Sequence, residues 1–193
     1  MFGEGGPAGA QGPQGLPGSG GSSTLNAHLF GAEMSLSATA LAEDAEQIIS
    51  LGARSGVTES GVTIASNQLT FVNAGLYQIH AALGIRQKNV TTTEQNSRCI
   101  LKGLAKLIRG SSSAVEIPES DVSTYIRSYD GATVAGTTSN NWGYAILHID
   151  FSYNFQANDK ISIYIKAIAK QQPTYTLEST SDSLIEATWN SLS

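Results

Sequence analysis

The chain has 193 residues, room for one domain and an appendage, and its charged share of 14% is well below the usual quarter. Its net charge is −5 and its 11 basic residues are scattered along the sequence, which argues against nucleic acid as a partner, because phosphate binding rests on clustered Lys and Arg. The single cysteine, Cys99, excludes an internal disulfide framework, and no stretch reaches the roughly 20 apolar residues that span a bilayer.

The first element is a glycine run. Gly3, Gly6, Gly9, Gly12, Gly15, Gly18 and Gly21 hold an unbroken three-residue phase. Three polyproline-II chains can wind together only where every third residue lacks a side chain, since that position faces the crowded axis. Pro7, Pro13 and Pro17 pre-set the φ that this winding needs. Beyond Gly18 proline runs out and Gly20 falls out of phase, so a flexible linker fits there equally well. Residues 1–23 are therefore read as a collagen-like stalk and linker, and residues 24–193 as a knob.

At ~3 Å per residue this stalk is a rod of roughly 50–60 Å. Ordering its backbone costs about 1–2 kcal/mol per residue, so such a short, proline-poor run is not expected to hold three chains in register alone. The knob is expected to do so, as a homotrimer. Met1-Phe2 leads directly into glycines without the charged-then-apolar pattern of a signal peptide. Met1 is accordingly read as the start of a fragment, with an anchoring region expected upstream.

From residue 24 onward, period-2 alternation broken by turn residues predicts half-buried strands. Strands are expected near Leu29–Ala40, Ile48–Leu51, Val62–Ile64, Cys99–Leu107, Ser123–Ser128, Thr174–Leu177 and Leu184–Trp189. A short helix over Ala38–Ile49 is the alternative for that stretch. Leu69 and Phe71, the turn Asn73-Ala74-Gly75 and the alternating Tyr77, Ile79, Ala81, Leu83 and Ile85 make a strong strand region. Leu147, Ile149, Phe151, Tyr153 and Phe155, followed by Ile161, Ile163, Ile165 and Ala167, predict an antiparallel hairpin around Ala157-Asn158-Asp159. The polar stretches Arg86–Ser97 and Gly131–Asn141 read as exposed loops, where binding residues concentrate. Many short strands with scarce helix signals indicate an all-β jelly-roll sandwich.

Little catalytic chemistry is visible, and no catalytic residue, cofactor or metal site is assigned. His28, His80 and His148 each stand alone, without the paired spacing of a zinc site. His80 and His148 fall on the polar faces of predicted strands. Should the knob trimerise, they could form a pH-sensitive element near its axis. Glu43, Asp44 and Glu46 form an acidic cluster without EF-hand spacing and read as a solvated turn. Cys99 reads as a buried structural thiol. Trp142 and Tyr144, beside Asn140 and Asn141, are the candidate partner contacts, because exposed aromatics suit protein or glycan surfaces; a Trp142 packed at a strand entry is the alternative, and the favoured one.

Leu69-Thr70-Phe71-Val72-Asn73-Ala74-Gly75-Leu76-Tyr77 resembles a strand pair of the trimeric tumour-necrosis-factor and complement-globular-head superfamily. Phe155-Gln156-Ala157-Asn158-Asp159-Lys160-Ile161-Ser162-Ile163 is similar to its late turn-aspartate-strand element, with Asn158 where that family prefers glycine. Together with Gly-Pro-Ala-Gly-Ala-Gln-Gly-Pro-Gln-Gly-Leu-Pro-Gly at residues 6–18, the chain resembles the vertex spikes of tailless, membrane-containing bacteriophages (tectiviruses). That resemblance implies a non-catalytic homotrimer on the virion surface. It would be joined to capsid vertex proteins through a region preceding Met1, with a host-contact or vertex-stabilising role. The alternative is a non-viral extracellular or spore-surface collagen-like trimer, which an upstream export signal would favour over a capsid-anchoring domain.

Overall fold

The structure is a computed structural model that describes residues 28–54, 61–89, 98–127, 142–171 and 175–190. These residues form β1 (His28–Ser35), β2 (Glu46–Ile48), β3 (Ser50–Ala53), β4 (Val62–Ala65), β5 (Gln68–Phe71), β6 (Gly75–Asn89) and β7 (Arg98–Ile108). They continue with β8 (Val115–Glu116), a 3-10 turn at Pro118–Ser120, β9 (Val122–Arg127), β10 (Trp142–Phe155), β11 (Lys160–Gln171), β12 (Tyr175–Ser179) and β13 (Leu184–Asn190).

The strands build two antiparallel sheets. The six-stranded sheet runs β3-β1-β13-β6-β10, with β12 continuing along β6 beyond β13. The seven-stranded sheet runs β4-β5-β11-β7-β8, with β2 also on β11 and β9 also on β7. The principal strands, in chain order, are β1, β5, β6, β7, β9, β10, β11 and β13. The first of them pairs with the last, the second with the seventh, the third with the sixth and the fourth with the fifth. That nesting is a jelly roll, the fold class expected from the pattern.

Several local expectations are corrected. Residues 147–155 and 161–167 do not form a hairpin: β10 pairs with β6 in one sheet, while β11 pairs with β7 and β5 in the other. Each strand has one apolar face, and stacking the two faces across a core removes both from water at once. The same holds for β5 and β6, which flank the turn at 72–74 but lie in opposite sheets. The polar stretch after Ile85 stays in β6 as far as Asn89, with Gln87 buried. Residues 90–97 and 131–141 of the expected loops lie outside the described residues. No helix forms over 38–49, where Asp44 takes a left-handed φ of 62°. That segment instead bridges to Leu177 and Ala167 and sends Leu41 and Ile49 into the core.

The apolar faces meet in a single buried cluster that includes Phe30, Leu69, Leu83, Leu101, Leu147 and Ile163. At its lower end the Phe71 and Phe155 rings stack with centroids 3.8 Å apart, and Tyr77 meets Phe71 edge-on at 4.7 Å. Burial pushes the Tyr77 phenol pKa up, and its hydroxyl donates to the Asn73 carbonyl at 3.0 Å.

The corner between β10 and β11 is fixed by Asp159. Its carboxylate accepts from Arg109 Nε at 2.9 Å, from Arg109 Nη2 at 2.6 Å and from the Gln156 amide at 2.8 Å. Its carbonyl accepts from the Phe71 amide at 2.9 Å.

Register gives the molecule two poles. His28 opposes Trp189, Trp189 opposes Tyr77, and Phe155 opposes Gly75. The beginning of β1, the end of β13 and the corners at 72–74 and 156–159 therefore share one pole. The other pole carries the ends of β6, β9 and β11 and the beginnings of β7, β10 and β12.

Candidate interaction surfaces

On the outer face of the six-stranded sheet, β10 presents Tyr144, Ile146, His148, Asp150 and Ser152, while Leu147, Ile149 and Phe151 face the core. Tyr144 is 64% exposed and Ile146 57%. Register sets Asp150 of β10 and Glu186 of β13 on either side of His80 of β6. His80 Nδ1 contacts Asp150 Oδ1, and Arg54 reaches Glu186 at 3.2 Å. The His148 ring lies 6.0 Å from that of His80. Gln78, His80, Asp150, Ser152, Glu186 and Thr188 line an open depression of about 470 Å³. The depression suits packing or polar binding.

The outer face of the seven-stranded sheet is laced with ion pairs. Lys102 and Lys166 oppose each other across β7 and β11, a repulsive arrangement taken alone. Both are matched: Lys102 meets Asp121 at 2.7 Å and Glu116 at 2.8 Å, and Lys166 meets Asp44 at 3.1 Å. Lys106 pairs with Glu46 and lies 5.0 Å over the Tyr164 ring. Hydrogen bonds to Asp121 and Glu116 raise the Lys102 pKa, and the bond from Lys102 lowers that of Glu116. Two members of the acidic cluster, Asp44 and Glu46, are thus partners of lysines.

Toward the far pole this face changes character. Arg98 of β7 stands directly opposite Arg127 of β9. Around them Tyr125, Ile100 and Ile168 are 51%, 37% and 39% exposed.

The sequence singled out few of these residues. Gly3, Gly6, Gly9, Gly12, Gly15, Gly18 and Gly21 lie outside the described residues, as does the boundary at residue 23. Trp142 begins β10 opposite Lys88, and its side chain also lies outside what is described. Tyr144 is exposed on the same strand. Cys99 is buried in the core. Among the described residues no group of three or more His, Cys, Asp or Glu is placed to hold a metal ion. The Arg98–Arg127–Tyr125 corner went unnoticed, because alternation shows which way Arg98 faces but not that β9 lies beside it.

No family model matches the chain. No curated protein matches it either. Among solved structures it is similar to murine APRIL, with a TM-score of 0.46 and 9% identity over 83% of this chain and 97% of that one.

Proposed function

We propose that the chain is the head and stalk of a homotrimeric spike on a virion surface, held at a capsid vertex through a region preceding Met1. It acts by contacting a host or stabilising the vertex, and it binds without catalysing. The observation that carries the reading is the junction: a phase-locked glycine run ends a few residues before β1 of a jelly roll. Three polyproline-II strands feeding three tumour-necrosis-factor-like knobs form one continuous trimer, in which three copies of a modest site gain avidity.

The outer face of the six-stranded sheet is the part of the knob suited to contact its copies. Tyr144 and Ile146 lie side by side on its edge strand, and exposed apolar groups on an edge are a liability unless covered. A three-fold ring joins two different patches of each copy, one on each neighbour.

Absolute mass by light scattering tests the reading. Three times the 20.2 kDa chain is expected, and Ile146→Glu is expected to shift the population to monomer while strand content by circular dichroism stays the same. A monomeric parent chain would remove the spike reading.

A further inference from the structure

We propose that the far corner of the seven-stranded sheet, around Arg98, Arg127 and Tyr125, binds an anionic glycan: a polysaccharide whose sugar or polyol units carry carboxylate or phosphate groups. The basic residues are scattered in sequence, but the jelly roll gathers them. Arg86 and Lys88 end β6, Arg98 begins β7, Arg127 ends β9 and Lys170 lies near the end of β11. Five of the chain's 11 basic residues therefore sit on strand ends at one pole of a protein whose net charge is −5. Among the described residues of those strand ends the carboxylate is Glu178, already joined to Arg86 at 2.7 Å.

The corner itself brings two cations together: Arg98 and Arg127 are direct cross-strand neighbours. Further along β7 the same opposition, Lys102 against Lys166, is cancelled by Asp121, Glu116 and Asp44. Arg98 has no such carboxylate among the described residues, and its Nε is shielded from solvent without a hydrogen-bond partner. Guanidinium groups suit a carboxylate or phosphate, which a fork can hold by paired hydrogen bonds.

Tyr125 lies two residues before Arg127 on the same face, opposite Ile100. Its half-exposed ring offers a flat apolar surface for a sugar ring, with Ile100 as the floor beside it. A shallow hollow of about 240 Å³ lined by Lys102, Asp121, Val122, Ser123 and Ile168 continues the patch along the strands. It adds donors and acceptors suited to hydroxyl groups. Arginine, tyrosine and aliphatic side chains in one exposed patch are the composition of binding hot spots. The site stands whether or not the chain is a spike; only its role as the outward-facing end rests on that reading.

Binding to the 193-residue chain is measured for polygalacturonate, poly(glycerol phosphate), uncharged dextran and single-stranded poly-dT, over a salt series. At least one anionic glycan is expected to bind at low salt and weaken as salt rises, with dextran inert and poly-dT weaker than the glycan. The double variant Arg98→Gln/Arg127→Gln is expected to lose about tenfold or more in affinity while its strand content by circular dichroism stays that of the parent. Tyr125→Ala is expected to lose about tenfold with the salt dependence retained, and Lys160→Gln at the opposite pole to bind as the parent does. Failure of both glycans to bind, equal binding of dextran or poly-dT, or full affinity in the double arginine variant would each overturn the site. Solution mass measured on the same samples separates any of these results from a failure to trimerise.

Discussion

Asp159 shows how one side chain can hold a jelly-roll corner. Burial pushes its carboxyl up, but hydrogen bonds from Arg109 and the Gln156 amide, together with the Arg109 charge, outweigh that and hold it below the usual carboxylate range. Replacing it by Asn removes the charge from the Arg109 pair and from the bond that the Gln156 amide donates. Asp159→Asn is expected to lower the thermal midpoint by about 5–10 °C, read by calorimetry near neutral pH. Because the folded pKa lies below the unfolded one, this contribution is fully present above the ordinary carboxylate range and is lost as pH falls through the folded value. Glu116 is shifted in the same direction by Lys102. The parent chain is therefore expected to lose midpoint below about pH 4, with a shallower acid limb in Asp159→Asn. Parallel acid limbs would show that Asp159 titrates alike in both states.

At the scale of elements, β9 and β10 meet where the two sheets close on each other. A Cβ on Gly143 would lie 2.5 Å from the Arg127 carbonyl oxygen and 2.7 Å from its carbon, and backbone cannot swing aside as a side chain can. Gly143→Ala is expected to cost about 1–3 kcal/mol in urea unfolding, by prising β10 from β9. The alternation in β6, β10 and β11 was plain in the sequence, and it gave the fold class and the facing of His80 and His148. What it could not give was adjacency. A strand with one apolar face is equally content beside its sequence neighbour or across the core from it, so β10 and β11 looked like a hairpin. The same gap hid the arginine corner: Arg98 and Arg127 are neighbours only because β9 folds back along β7. The segment at 38–49 misled for another reason, since Leu41, Ala45 and Ile48 carry a helical spacing while the backbone finds its partners in Leu177 and Ala167.

For the whole molecule, the two-sheet core and the proposed short stalk differ greatly in what they can hold together. A chain lacking residues 1–23 is expected to keep the trimeric mass of the parent, since the glycine run is too short to bring three chains together against its ordering cost. A monomeric truncation beside a trimeric parent would make the stalk the organising element instead. The placement of β1 bears on a different property, resistance to force. A stalk over residues 1–23, as proposed, would meet the knob next to His28, the start of a strand that pairs with β13 and, further along, with β3. Tension between that point and a ligand held at the opposite pole runs along the axis of β1. Its hydrogen bonds to β13 and β3 are then loaded in shear and must yield together, whereas a strand peeled from a sheet edge gives them up one at a time. Attached that way, the knob would meet a tug along its length with bonds that yield together.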